Sequence, residues 1–312
     1  MKFGYRYMWF VWPGREQHPV WKNLRAAATG AEADGFSSFW LNDHFYNLPV
    51  HTGDPHDPFF DVWTVLPALA VETSSIRLGP LVSPVGYRNP ALLARMAATL
   101  DVISGGRLHL GFGAGGYQAE YTAYGFDFPE RPATRIEQMV EAVYLMKKMW
   151  SEPQATFQGM YFRVEQAILE PKPVQKPHPP ILIGGVGEKY LLRAVAEVGD
   201  GCNLFGPPDE FRRVRRILQG YCDELNREAS EIEMTTYDVV LCARSDSELA
   251  AKKARLSFGE EPWKTMVGTP SQLVELTAAY QEAGAEHLLL EFHANDIESY
   301  ELFAGEVMPH FR

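Results

Sequence analysis

The sequence predicts an α/β protein built as a (β/α)8 TIM barrel with a hairpin and connector insertion, and three observations carry that prediction. Short β-rich runs alternate with amphipathic helical stretches almost from end to end, a rhythm that pairs consecutive strands in parallel through helical crossovers. Eight such runs occur, each followed by a helical stretch, more than a doubly wound sheet needs. The length of 312 residues is ordinary for one barrel, and the 46% apolar content is enough for a large core.

The strand candidates, in order, are 3–10, 36–43, 76–83, 107–112, 180–185, 201–206, 233–243 and 286–292. They are short runs rich in β-branched, aliphatic or aromatic residues, and several are bounded by Gly, Pro, Asn or Asp. Helical periodicity covers 20–34, 59–73, 90–103, 133–150, 187–198, 209–228, 246–257, 270–283 and 296–308. Thr269-Pro270 is a start signal for one of them, with proline at the first helical position. The rhythm breaks at 153–180, where Gly159 separates two β-rich runs and a proline-rich connector follows, so we expect a small hairpin inserted in one domain spanning 1–312.

Charge and cysteine content narrow the function. With 29 basic against 40 acidic side chains the net charge is −11, which argues against a nucleic-acid or anionic-membrane partner. Cys202, Cys222 and Cys242 are far apart and odd in number, so no disulfide framework or zinc knuckle is expected. Neither a signal-peptide pattern nor a long apolar run is present, and the expectation is a soluble, cytoplasmic protein acting on a small molecule.

A barrel of this kind places its site at the carboxyl ends of the strands, so the residues there are the candidates. Strand two ends in Asn42-Asp43-His44, and His44 at the rim is suited to move a proton near neutral pH. Alternation turns Asp43 the other way, toward a structural role. Strand four ends in "LGFGAGGYQAEY", in which Gly111, Gly113 and Gly116 reproduce the G-x-G-x-x-G spacing of a dinucleotide fold. The context excludes that fold, since three strands precede it and no strand with a terminal acid follows. The glycines here, with Ala114 and Gly115, are read as letting backbone approach a cofactor. Glu120 lies in the next turn, as a proton donor or as a carboxylate at a helix start. Strand five ends in "IGGVGEKY", where Gly184, Gly185, Val186, Gly187 and Glu188 form a phosphate-type cradle before a helix. Asn203 and Phe205 end strand six as cofactor lining, while Trp9, Trp12, Tyr46 and Tyr117 are candidates for a substrate pocket. His44, His51, Asp54, His56 and Asp57 fit no ligand spacing, so no metal is expected. Arg212, Arg213, Arg215 and Arg216 are read as a solvated basic face.

The stretches 30–45, 68–115, 179–203 and 303–311 resemble the bacterial-luciferase-like superfamily. "YRNPALLARMAATLDVISGGR" is closest to its deazaflavin-dependent branch, which uses coenzyme F420. The resemblance implies a (β/α)8 barrel with an insertion, a homodimer, and an oxidoreductase using F420, with FMN and O2 chemistry as the alternative and a non-catalytic flavin-binding protein as a less favoured one. It implies that His44, in the "DHF" motif, lies over the reactive ring, and that Glu120 is the usual family glutamate. It implies that strand three carries a bulge at Leu81, Val82 and Ser83, often with a non-prolyl cis peptide, behind that ring. It also implies that the loop at 184–188 holds the cofactor's phosphate. In the sugar-phosphate dehydrogenases of this group a glutamate stands where this chain has Gly116, which counts against that substrate.

Overall fold

The structure, a computed structural model, describes residues 1–10, 19–48, 54–185, 187–259, 261 and 264–312. In chain order its elements are β1 (Lys2–Tyr7), α1 (Val20–Ala33), β2 (Ser38–Leu41), α2 (Val62–Glu72), β3 (Arg77–Pro80), β4 (Ser83–Pro84), α3 (Pro90–Ile103), β5 (Leu110–Gly113), α4 (Gln118–Tyr124) and α5 (Pro132–Ser151). There follow β6 (Ala155–Gln158), β7 (Arg163–Ala167), β8 (Ile181–Gly184), α6 (Leu191–Val198), β9 (Gly201–Leu204), α7 (Pro208–Glu224), β10 (Glu233–Cys242), α8 (Asp246–Arg255), β11 (Val267–Gly268), α9 (Pro270–Ala283), β12 (His287–Phe292) and α10 (Ile297–Leu302).

Parallel pairing runs β3-β2-β1-β12-β10-β9-β8-β5-β4. Leu78 of β3 bridges in parallel to Leu108, just before β5, and this contact closes the sheet into a barrel. The eight staves are the eight runs read from the sequence. β6 and β7 form the expected antiparallel hairpin, and 168–180 is the extended connector. Start signals work locally as well. Asp61 accepts from the Thr64 N–H at 2.8 Å, Asn89 accepts from the Ala91 N–H at 2.9 Å, and Gln272 accepts from the Thr269 N–H at 2.7 Å to complete a capping box.

The third run breaks between Pro80 and Ser83, with a cis peptide joining Leu81 to Val82, the irregularity expected there. Two boundaries differ from expectation. The helix expected from 187 starts at Leu191, because Gly185 and Gly187 hold φ of 143° and 127°, outside the helical region. The last helix is regular only over α10, and Phe303–Phe311 continues in wider and then tighter turns.

The barrel interior is filled by a few large side chains set against glycine. Trp40, Leu182 and Leu289 form their own buried cluster, with Leu81 packed on it. In the strand register Leu289 faces Gly4, Trp40 faces Gly79, and Leu182 lies between Gly111 and Gly201. A Cβ on Gly79 or Gly111 would come within 2.0 Å of a carbonyl oxygen of the neighbouring strand, so only glycine fits there. The opposite faces of the strands pack on the helices, where most of the apolar core lies.

Candidate active site

Strand alternation puts Arg6, Asn42, Tyr237 and Glu291 on the inner wall, with Arg6 in register with Trp40 and Tyr237 with Leu289. They form one buried network. Arg6 Nη1 pairs with Glu291 Oε2 at 2.7 Å, and Arg6 Nε donates to Asn42 Oδ1 at 3.0 Å. The Tyr237 hydroxyl donates to Glu291 Oε2 at 2.8 Å, and the guanidinium lies 4.3 Å above the Tyr237 ring centroid. Trp9 Nε1 donates to Glu291 Oε1 at 3.0 Å, which fixes this half-buried indole at the upper rim. The charge of Arg6 is thus matched within the barrel, and the network gives the mouth a polar floor. The sequence reading nominated Trp9 but not Arg6, Tyr237 or Glu291. The available signal was a charged residue near the carboxyl end of a largely apolar strand, Arg6 in β1 and Glu291 in β12.

At the rim, His44 and Glu120 meet from different loops. His44 Nδ1 is 2.6 Å from Glu120 Oε2, the Phe45 N–H donates to Glu120 Oε1 at 2.7 Å, and the Tyr87 hydroxyl donates to Oε2 at 2.6 Å. Glu120 is 0% exposed. Burial alone would raise its pKa, but the His44, Tyr87 and Phe45 donors outweigh burial and hold it below the ordinary carboxylate range. Burial, reinforced by Glu120, pushes the Tyr87 phenol far up, so it remains a donor. The carboxylate can only accept, so Nδ1 carries the imidazole proton and Nε2 is left with its lone pair. Glu120 lies in the first turn of α4 but is spent on His44 rather than on the helix end.

Asp43 points away from His44 as expected. It accepts from Arg88 Nη1 and from Ser83 Oγ, both at 2.6 Å, and burial raises its pKa against the pull of those two donors. The Ser83 side chain is spent on protein contacts. Its hydroxyl is buried, committed to Asp43, and accepts from Trp63 Nε1 at 2.9 Å, because the break after Pro80 interrupts the strand's alternation.

Leu81 and Val82 bulge inward, and glycines surround Val82. A Cβ on Gly113 would lie 2.7 Å from Val82 Cγ2, and one on Gly184 would lie 2.9 Å from Val82 Cγ1. The close approach that requires Gly113 is therefore to protein. Gly115 has a φ of 75° and lies under the Tyr121 hydroxyl, with Ala114 half-buried beside it.

Beyond β8, Gly185, Gly187, Leu204, Phe205, Gly206 and Pro207 line a cavity of about 610 Å³. A Cβ on Gly187 would meet nothing within 4 Å, so that backbone is open. This shape suits the phosphate-bearing side chain of a flavin or deazaflavin, with backbone N–H groups as donors. Glu188 also lines this cavity, and its carboxylate pairs with Arg213, which holds Glu210 as well. Arg213 is thus a clamp between this loop and α7 rather than part of a free basic face. Asn203 is buried on the inner wall and accepts from Thr235 Oγ1 at 3.2 Å. Tyr46 and Tyr117 are half-buried within electrostatic reach of each other, and burial and Glu120 both raise the Tyr46 pKa. Trp12, Val186 and His51 lie outside the described residues. Among the described residues no group of three or more His, Cys, Asp or Glu side chains is placed to hold a metal ion, and no helix is long and apolar enough to cross a membrane.

Comparison with known proteins gives this geometry a context. Residues 1–265 match the family model described as luciferase-like monooxygenase. An F420-dependent glucose-6-phosphate dehydrogenase of Kineococcus radiotolerans is 40% identical over 184 residues, which span 57% of this chain and 53% of that protein. An uncharacterised protein of Mycobacterium tuberculosis is 34% identical over 276 residues, covering 84% of this chain and 93% of its own length. The solved structure of an F420-dependent secondary alcohol dehydrogenase with an F420–acetone adduct superposes with a TM-score of 0.81, at 22% identity, over 100% of this chain and 99% of that one. The chain belongs to the luciferase-like monooxygenase family, and within it resembles the F420-dependent enzymes.

Proposed function

We propose that the protein is an oxidoreductase that moves a hydride between C5 of coenzyme F420 and a small organic substrate held in the barrel mouth. The observation that carries this reading is the His44–Glu120 pair, at 2.6 Å, standing on the same rim as the glycine-lined cavity. When bound, the deazaflavin would supply the hydride chemistry. Gly184, Gly185, Gly187 and the cavity below Phe205 would hold its phosphate-bearing chain, and Leu81 and Val82 would support its ring from behind. His44 Nε2 gives or takes the proton that accompanies hydride transfer, and Glu120 stabilises the imidazolium form. Trp9, Tyr46 and Tyr117 supply apolar wall, and the Arg6–Glu291 network provides the floor.

The same cradle suits the phosphate of FMN, and the family description favours a monooxygenase as the second reading. Fluorescence titration of the apoprotein with each cofactor separates the two: F420 binds under the first, whereas tight FMN binding without F420 binding sinks it. Replacing His44 with Ala should abolish turnover of F420 while leaving its Kd within about twofold. Unchanged turnover would remove the role given to His44.

We further propose that the protein works in the cytoplasm, with its three cysteines buried and unpaired, as a homodimer. The outer sides of α2 and α3 carry exposed apolar side chains beside Thr64, Arg95 and Thr99: Val71, Leu92 and Ile103 are 73%, 54% and 45% exposed. Light scattering should give twice the chain mass, and Leu92→Glu with Ile103→Glu should return the monomer.

A further inference from the structure

We propose that Tyr87 is a positioning residue of this site: its phenol keeps Glu120 ionised and fixed in a dry pocket, so that Glu120 holds the His44 ring proton on Nδ1 and leaves Nε2 open to the reacting centre. The proposal deepens the reading of His44 as the proton-handling group and rests on it.

Tyr87 closes a short 3-10 turn, Val85–Tyr87, directly after β4. It opens the stretch at 87–107 that carries the family resemblance, but nothing in that stretch assigns it a role, and the chemistry described above does not use it directly. Its place in the site is shown by the hydrogen bonds on Glu120. Oε1 takes the Phe45 N–H at 2.7 Å, and Oε2 takes both His44 Nδ1 and the Tyr87 hydroxyl, each at 2.6 Å. A carboxylate with 0% exposure stays charged only if such donors replace water. Of the three, the phenol alone comes from a side chain that takes no part in proton transfer. Its own pKa, driven up by burial and by Glu120, keeps the proton on its oxygen across the physiological range.

The Tyr87 ring is held independently of its hydroxyl, 4.5 Å from the Phe45 centroid and 4.9 Å from that of Tyr121. Phenylalanine at this position therefore keeps the packing and deletes only the donor. The other titratable groups facing this cluster are Tyr46, Tyr121 and Asp43, with Arg88 spent on Asp43 and Arg135 beside Tyr121.

The test reads Glu120 and His44 by NMR in the cofactor-free protein, so it is independent of which cofactor binds. Side-chain carboxyl 13C labelling gives the Glu120 titration, assigned by the signal lost in Glu120→Gln. In Tyr87→Phe the titration of Glu120 should move up by roughly one pH unit relative to the wild type. Ring 15N shifts of the wild type near pH 8 should show His44 protonated on Nδ1, and Glu120→Gln should abolish that preference. If Tyr87→Phe does not fold, site-specific 2,3-difluorotyrosine at position 87, a stronger donor of similar shape, should move the Glu120 titration down. An unchanged Glu120 titration, or a wild-type His44 protonated on Nε2, overturns the proposal. Failure of F420 to bind overturns the cofactor reading instead and leaves these signals as they are.

Discussion

His44 reaches solvent through only a quarter of its side chain, while the glutamate behind it reaches none. That inequality sets how each should respond to substitution. Glu120→Gln preserves shape but offers an amide, which supports an imidazolium poorly. Turnover should fall roughly a hundredfold while F420 affinity stays within about twofold, measured by steady-state kinetics beside fluorescence titration. A carboxylate held below its ordinary range stays ionised as the pH falls, so the loss should persist across the neutral and mildly acidic range rather than appear at one pH. At this scale the sequence pointed to His44, at the end of strand two in the "DHF" motif, and to Glu120, in the turn after strand four where the family has its usual glutamate. It did not join them, since 76 residues separate them and only the barrel's curvature brings them within 2.6 Å. Tyr87 opens the resembling stretch at 87–107, but no pattern in a turn shows that its hydroxyl reaches Glu120. The partners of the Ser83 hydroxyl were not legible, because period-two alternation fails where the strand breaks.

At the scale of elements, the glycines of "LGFGAGGYQAEY" divide into two kinds. Gly111 meets Pro80 O at 2.0 Å through its hypothetical Cβ, whereas Gly116 meets nothing within 4 Å and has no positive φ. Gly111→Ala should therefore cost about 2–4 kcal/mol in urea unfolding, and Gly116→Ala should be neutral within about 0.5 kcal/mol. Equal effects would show that the strand contacts do not set the requirement. The motif's spacing matches a nucleotide fingerprint, yet two of its glycines are needed for a neighbouring strand. Strand and helix order was legible from composition and periodicity. The ends of elements were less so where glycine conformation decides, as in the late start of α6.

Across the whole molecule, the barrel floor carries a buried polar cluster of its own. Ser38 Oγ lies 2.9 Å from His287 Nε2, and His109 lies 3.9 Å from Glu233. Burial pushes the His109 pKa down to about 3, despite Glu233 nearby. In the unfolded chain a histidine titrates near 6.5, so below that pH the unfolded state binds a proton that the folded state refuses. Stability is therefore complete above pH 6.5 and falls as the pH drops toward 3. Glu233, held below its ordinary range by His287 and Lys2 against burial, acts in the same direction only below about 4.5. Between pH 6.5 and 4.5 His293, also lowered by burial, adds to this slope, and Asp238, raised by burial to about 6, opposes it. The His109 share is therefore read as the difference in urea unfolding between the wild type and His109→Gln, which should lose less stability as the pH falls. The sequence predicted the barrel from its rhythm, but it gave no sign of this floor, whose members come from different strands.

The pairing of large side chains with glycines in the barrel bore makes the order of mutation matter. Gly201 is limited chiefly by one methyl group, Leu182 Cδ1, 2.8 Å from its hypothetical Cβ. Gly201→Ala should be harmful in the present background and tolerated once Leu182 has become Val, a coupling that a double-mutant cycle would measure. Gly79 has no such route, because the obstacle there is the His109 carbonyl of the main chain. Some positions in this barrel can thus be exchanged along a permitted path, whereas others are closed to every sequence that keeps the same strands.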